Sequence, residues 1–521
     1  MVALVVAGLL LRLRGFHNPI LDHPGWRQGD TAAIARNFAT LKFNILYPQA
    51  DYDGPPPNYV ELELQIVPFL AACAYKLVGI HEGIGRLISI AFGLGTIVVT
   101  GLFARWLFRS ATAGIAAAAI FTALPGSIYY SRTFMPDTTM VFFMTAAIYA
   151  CVRWIWSDPP GEWRGFAAPS LLLALALLAK PVALVALIPI GAAAVARFGW
   201  RGTLVRPQTY ALLAVALVPL IAYDRFVNAH AEWHWASGIT QKHVLPGLES
   251  AASSAGGFAR KLSYVAIAIR LLARTMLGPF GLAFLVAGFA FPYRRREGSV
   301  VYGWLGGALV YIYVVVSVER VDYYMYSLLP LAAIVGGNLV LRMWLAARCL
   351  KRWQLAVAAA ALLYVVMISV DRRLVAPYYV YSKANYRAAR TLDATLEPHA
   401  LIVMGHYDPS IMYYINRKGW EEDPYLWTPF DEQSAIRKGA RYFIAVENRR
   451  LTHNLELDAW LARFPVDEHA RWPVYETDYA KMVPGAEAKW RAFRRAERAG
   501  TLPQQRHHVS TRGVISAAST R

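Results

Sequence analysis

Cysteine is nearly absent. The 521 residues contain only Cys73, Cys151 and Cys349, each within or beside an apolar run and none at metal-ligand spacing. They read as packing residues, not as a redox pair. Charge is scarce too: 17% of residues are charged, against 56% hydrophobic and 13% aromatic, with a mean hydropathy of +0.34. A chain this apolar is no soluble globule, and one this long is no single domain, so it reads as an α-helical polytopic membrane protein. Acidic residues are fewest, 34 against 53 Lys and Arg, giving a net charge of +19. The basic residues sit largely in short loops between apolar runs, where membrane topology accounts for them. No nucleic-acid partner is expected.

The opening run MVALVVAGLLL has no charged segment before it and no small-residue cleavage signature after it, which argues against a cleaved signal peptide. It is shorter than the roughly 20 residues that cross a bilayer. It is expected to be the remnant of a first membrane helix, the true start lying upstream.

Uncharged runs then recur at 87–104, 111–131, 138–152, 167–179, 181–196, 207–223, 275–293, 298–318, 323–341 and 354–370. With the opening run they predict about 11–13 membrane helices, some short or tilted. Arg105 with Arg109, Arg153 with Arg164, the Arg197, Arg201 and Arg206 set, Arg294 to Arg296, and Arg342 to Arg352 fall in alternate loops. These loops are predicted to be cytoplasmic, which places the polar loop 12–63 and everything after Asp371 outside. Parity then leaves 64–80 either along the outer surface or re-entrant; the alternative is an ordinary crossing with one violation of the charge rule.

Residues 1–370 are thus expected to form a membrane module and 371–499 a small extracytoplasmic α/β domain. In the latter, ALIVMGHYDPS and RYFIAVE read as strands and SIMYYINRKG as a helix closing on glycine. From about 500 the composition reads as a disordered tail.

A fifty-residue polar loop at the head of a membrane bundle is costly to order unless it forms a site. Within it, WRQGDTAAIARNF predicts an amphipathic helix with Ile34 and Phe38 on its apolar face and Asp30 near its start. Asp30 is either a helix cap or a carboxylate that takes a proton from an acceptor hydroxyl; Asp22 is the reserve. In YYSRTFMPDTTMVFF, Asp137 follows Pro136 at a helix start, where the helix dipole favours an acid, yet Arg132, Tyr129 and Tyr130 are close and an ionisable residue at membrane depth points to function. Lys180, in LLAKPVAL, either snorkels to the interface or binds phosphate as a point charge.

HPGWRQGDTAAIARNF, YVELE, SRTFMPDTTMVFF, LLAKP and DYYMYSLLPLAA, in that order, resemble the polyprenyl-phosphate-sugar-dependent glycosyltransferases of GT-C fold, the glycosyltransferase 39/83 type. That family includes aminoarabinose transferases acting on lipid A and, more distantly, protein O-mannosyltransferases. The resemblance covers about the first 370 residues. It implies transfer of a sugar from a lipid-linked phosphate donor on the outer face of a bacterial inner membrane. By motif, Asp30 serves the chemistry as the base and Asp137 supports it by orienting sugar or acceptor. Arg27, Glu61, Glu63, Arg132, Lys180, Arg320 and Tyr324 would bind substrate, with Arg132, Lys180 and Arg320 as phosphate partners. Many relatives show a DE pair where this chain has Arg27-Gln28, its carboxylate coming about a turn later.

Trp26, Tyr59, Trp233 and Trp235 are either sugar-stacking residues or interface anchors. Glu232, His234 and His243 match no strong metal motif, so no metal or cofactor is expected. Lack of a WWD element disfavours the oligosaccharyltransferase subclass. Direct displacement would invert the anomeric centre. The rival reading is a transporter or flippase of a lipid-linked sugar, but no internal repeat is evident. The acceptor, whether lipid A, another glycan or a protein, is left open.

Overall fold

The computed structural model describes residues 1–467 and 471–499. The chain divides into two compact units, Met1–Asp51 with Pro56–Tyr386, and Tyr52–Pro55 with the residues from Arg387 on.

The first unit is helical. In chain order it contains α1 (Val2–Arg12), α2 (Gly25–Thr40), α3 (Ile66–Val78), α4 (Glu82–Phe108), α5 (Ala111–Ala123), α6 (Pro125–Tyr130), α7 (Asp137–Ile155), α8 (Ala167–Ala179), α9 (Pro181–Val205), α10 (Pro207–His230), α11 (Ala255–Phe289), α12 (Arg295–Glu319), α13 (Asp322–Cys349) and α14 (Trp353–Leu374). Among the described residues, eight helices (α4, α7 and α9 to α14) are long and apolar enough to cross a membrane, and α1, α3, α5 and α8 are shorter apolar helices. Eight is fewer than the 11–13 membrane helices expected from the sequence, a number reached only when these four shorter helices are added. Two short strands, β1 (Val60–Glu61) and β2 (Trp233–His234), pair in parallel.

Three elements depart from their expected extents. The run 111–131 is broken at Leu124, whose extended backbone (ψ 135°) precedes Pro125, because a residue before proline is driven out of the helical region. The run 275–293 starts twenty residues early, since α11 continues back through Arg260, Lys261, Arg270 and Arg274 by way of a π-turn at Leu272–Leu277. Helix α3 has 13 residues and ends at Gly79 with φ 86°. At 1.5 Å per residue it is about 20 Å long, short of a hydrocarbon core of about 30 Å.

Small residues let the helices close up. A Cβ on Gly114 of α5 would stand 2.7 Å from the Gly101 carbonyl oxygen of α4, and one on Gly337 of α13 would stand 2.6 Å from the Ala113 carbonyl oxygen. This contact is backbone on backbone, the mode by which membrane helices pack when lipid supplies no hydrophobic drive.

The second unit carries a five-stranded sheet of β3 (Leu401–Met404), β4 (Lys418–Glu421), β5 (Ala440–Ile444), β6 (Val466–Asp467) and β7 (Val474–Glu476) in the order β4-β3-β5-β7-β6. β3 is parallel to β4 and β5, while β7 is antiparallel to β5 and β6. The helix Pro409–Ile415 closes on Asn416 in the left-handed region, not on the glycine expected. That glycine, Gly419, lies inside β4, a strand the sequence did not announce, with φ 144°. A side chain there would meet the Ile402 carbonyl oxygen at 2.0 Å. Trp460, Phe443 and Leu457 belong to the buried core of this unit. The expected tail from 500 lies outside the described residues.

Candidate active site

Helix α2 starts at Gly25 after Pro24, so Asp30 lies in its second turn and not at its cap. The helix is also buried on nearly all sides, from Arg27 through Ala35 and at Asn37 and Phe38, so the expected amphipathic surface helix is corrected to a buried one. A buried helix carrying this much charge needs every charge answered.

Arg27 answers two of them. Its Nη1 donates to Asp30 Oδ2 (2.7 Å) and its Nη2 to Glu63 Oε1. Burial disfavours the Arg27 charge, but Glu63 and then Asp30 outweigh it and raise the guanidinium above its ordinary range. The arginine is a fixed cation between two carboxylates.

Asp22 is answered by others. It is fully buried and accepts from Arg132 Nη2 (2.6 Å), Arg86 Nη2 (3.1 Å) and Gln28 Nε2 (2.8 Å). Arg132, expected to face phosphate, is fully buried with its Nη2 turned to Asp22 and the Gly15 carbonyl (2.9 Å). Burial lowers the Arg132 pKa, yet Asp22 more than restores it. The Asp22 cluster ties the first loop to α4 and to the turn before α7.

Asp137 and Lys180 meet because α7 begins where α8 ends. Lys180 leaves α8 in an extended conformation, before Pro181, and its Nζ donates to Asp137 Oδ1 (2.6 Å). It is 8% exposed and does not snorkel. Its ammonium stands 4.7 Å from the Tyr324 ring centroid and 5.6 Å from that of Tyr323. Asp137 Oδ2 is buried without a hydrogen-bond partner.

Glu61 lies on β1 and accepts from the Ser237 backbone N–H (3.0 Å) and Oγ (2.9 Å). With the β1–β2 pairing it fastens the first loop to residues 233–237. Trp26 and Trp235 are brought within 5.3 Å, and the Tyr59 carbonyl accepts from the N–H groups of Glu232 (2.9 Å) and Trp233 (3.3 Å). His243 meets Glu319 (2.9 Å) and His234 meets Asn228 (3.2 Å); among the described residues no group of three His, Cys, Asp or Glu is gathered to hold a metal ion.

Arg320 has a left-handed backbone (φ 49°) at the end of α12, and its guanidinium covers the Tyr264 ring at 4.7 Å with Nε buried and unbonded. One turn before Tyr264 on α11, Lys261 has its Nζ buried without a partner, 5.4 Å from the Tyr313 ring centroid. Sequence reasoning reached Arg320 but not Lys261, which shares its helix with Arg260, Arg270 and Arg274 and so does not stand out as a lone charge.

A second unanticipated group centres on Asp322. It accepts from Tyr130 (2.7 Å) and Tyr378, while His23 Nε2 lies 3.0 Å from the Tyr130 hydroxyl and 3.5 Å from Asp322 Oδ1. The His23 ring stacks on Tyr378 with centroids 4.3 Å apart. Burial and then the Asp322 charge raise the Tyr378 phenol above its ordinary range, so it remains the donor.

The helical architecture is shared with solved structures. The structure of ArnT from Cupriavidus metallidurans bound to undecaprenyl phosphate superposes with a TM-score of 0.59 over 93% of this chain and 99% of that one, at 15% identity. The chain has the GT-C fold of membrane glycosyltransferases. A second GT-C structure, the Archaeoglobus fulgidus oligosaccharyltransferase tethered to an acceptor peptide, matches with a TM-score of 0.54 over 93% of this chain and 75% of that one, at 13% identity. Within this GT-C chain, residues 74–246 match the model of the dolichyl-phosphate-mannose-protein mannosyltransferase family, a stretch that contains Asp137 and Lys180. No curated protein sequence matches.

Proposed function

We propose that the protein transfers a sugar from a polyprenyl-phosphate donor to an envelope acceptor on the periplasmic face of the inner membrane, with inversion at the anomeric carbon. One observation carries the reading: Asp137 Oδ2 is buried, lacks a donor, and belongs to a carboxylate already held by Lys180. A buried acceptor left open costs about 1–3 kcal/mol, and an acceptor hydroxyl would satisfy it. Asp137 therefore takes the acceptor proton. Asp30, held by Arg27, orients the sugar, an exchange of the roles implied by motif alone. The leaving phosphate meets Lys261 and Arg320, two cations that pair with no carboxylate among the described residues, each resting on a tyrosine ring. Arg132, spent on Asp22, positions the loop. Cations supplied by the chain itself meet both the carboxylates and the phosphate, so turnover proceeds without an obligatory divalent ion. Loss of turnover in chelator, restored by such an ion, would overturn that clause.

The test is transfer of radiolabelled sugar from a panel of undecaprenyl-phosphate sugars in membranes carrying wild type, Asp137→Asn or Asp30→Asn. Loss of a general base lowers the rate about 10²–10⁴-fold. Donor-dependent labelling that Asp137→Asn abolishes at unchanged protein level supports the proposal. Labelling unchanged in Asp137→Asn returns the base to Asp30. No labelling with any donor favours the transporter reading.

A further inference from the structure

Helix α4 carries Arg86 beside Asp22 near its start and Arg105 near its end, 19 residues on, or about 28 Å along the axis. At this far end, remote from the candidate active site, lies a cavity of about 540 Å³ lined by Leu102, Arg105, Trp106, Arg109, Tyr149 and Arg153, with Ser110 and Ala111 of the first turn of α5. The volume is that of a small-molecule site, about 300–1,000 Å³.

Its charge is uncompensated. Among the described residues Arg105, Arg109 and Arg153 form no ion pair, although they come from two different helices and the turn between α4 and α5. Membrane topology explains why arginines lie at this end of the bundle. It does not explain why three of them line one concavity with two aromatic walls. The back of the cavity is fixed: Arg296 Nη2 donates to the Leu107 carbonyl (2.7 Å), and its guanidinium covers the Trp106 ring at 4.8 Å. Ser110 caps α5, its Oγ accepting from the Ala113 N–H, which sets the 13-residue helix with its positive end at the cavity. Guanidinium groups bind phosphate oxygens through paired N–H donors, and basic pockets between membrane helices seat anionic lipid headgroups. Leu102, Trp106 and Tyr149 supply apolar surface where acyl chains would leave such a headgroup.

We propose that this cavity binds the headgroup of an anionic phospholipid carrying two phosphodiesters, of the cardiolipin class, from the leaflet opposite the active site. Three unpaired guanidinium groups outnumber the single charge of a one-phosphate lipid, which is why the two-phosphate headgroup is assigned. The inference is independent of which sugar or acceptor the enzyme uses.

The test is native mass spectrometry of the delipidated full chain in neutral detergent, titrated with tetraoleoyl cardiolipin, dioleoyl phosphatidylglycerol or dioleoyl phosphatidylcholine. The expected result is one tightly retained cardiolipin, weakened at least tenfold by Arg105→Gln/Arg109→Gln/Arg153→Gln together. The control Arg348→Gln/Lys351→Gln, which removes two basic residues outside the cavity, should retain it. Equal retention by the triple variant, or equal binding of phosphatidylcholine, overturns the proposal. Complete competition by millimolar inorganic phosphate shows a free-phosphate site and overturns the lipid assignment. Should the triple variant not fold, photo-crosslinkable cardiolipin on wild type decides: adducts within 102–111 and 149–153 support the site, and adducts confined elsewhere refute it.

Discussion

Replacing Asp22 by asparagine tests the division between residues that hold the site and residues that react. The substitution keeps shape and one oxygen but removes the carboxylate charge that pairs with both the Arg86 and Arg132 guanidinium groups, which are fully buried. Breaking a buried pair in this way costs about 3–5 kcal/mol, because the surviving charge stays desolvated. Here two charges survive, partly relieved by the carbonyls of Phe16 (2.9 Å) and Gly15 that already accept from them. Against a total stability of about 5–15 kcal/mol the loss is large. The expected result is a fall in melting temperature on the order of 5 °C or more by fluorescence-detected size exclusion in detergent, with reduced abundance in membranes. Turnover per folded molecule should fall less than in Asp137→Asn. An Asp22→Asn protein that melts with wild type, yet is catalytically dead, would refute the assignment and make Asp22 a reacting group.

Further outcomes follow from the same geometry. His23→Phe keeps the stack on Tyr378 but loses the contact to Tyr130 and Asp322, so kcat should fall about tenfold with little change in melting; an unaltered kcat would show that the histidine only packs. Lys261→Met should raise KM for the lipid donor more than it lowers kcat, measured by titrating undecaprenyl-phosphate sugar; a pure kcat effect would remove it from the phosphate seat. In the second unit, Glu432 is fully buried, accepts from Trp427 Nε1 (2.7 Å) and has its other oxygen unbonded, and burial pushes its carboxyl up to about 8. The folded form therefore holds a proton that the unfolded chain releases near 4.5. Stability from this group is complete below about pH 4.5 and is lost as pH rises through about 8, a few kcal/mol in all. Glu432→Gln should flatten that slope in hydrogen exchange at Pro429–Arg437; an unchanged slope would place the titration elsewhere.

The parts of the site that were legible are those where one charge stands alone in hydrocarbon. Asp137 and Lys180 each announced themselves this way, since a lone ion at membrane depth has few bland explanations. What stayed hidden was who answers whom. Asp22 reads as a reserve base until Arg86 and Arg132, 64 and 110 residues away, converge on it. Asp322 depends on Tyr130 and Tyr378 in the same way, and no local period encodes such a meeting. Lys261 was lost for the opposite reason: Arg260, Lys261, Arg270 and Arg274 interrupt the apolar count, so the first half of α11 does not read as membrane helix although it is continuous with the apolar second half. Strand β4 was missed because Gly419 reads as a helix stop when its contact with Ile402 is unseen.

The fastening of Glu61 to Ser237 also bears on how the protein is made. A chain emerging from the ribosome at about 5–20 residues per second has presented its whole first loop long before residue 237 exists. For roughly ten seconds or more the loop that carries Asp30 has nothing to close on. Asp322, which receives Tyr130 and His23, arrives later still. A nascent chain therefore has Asp30 and Asp137 before the later contacts around the first loop can form. Commitment to the working shape waits until about two thirds of the chain has been made, when α13 is inserted against helices already waiting in the bilayer.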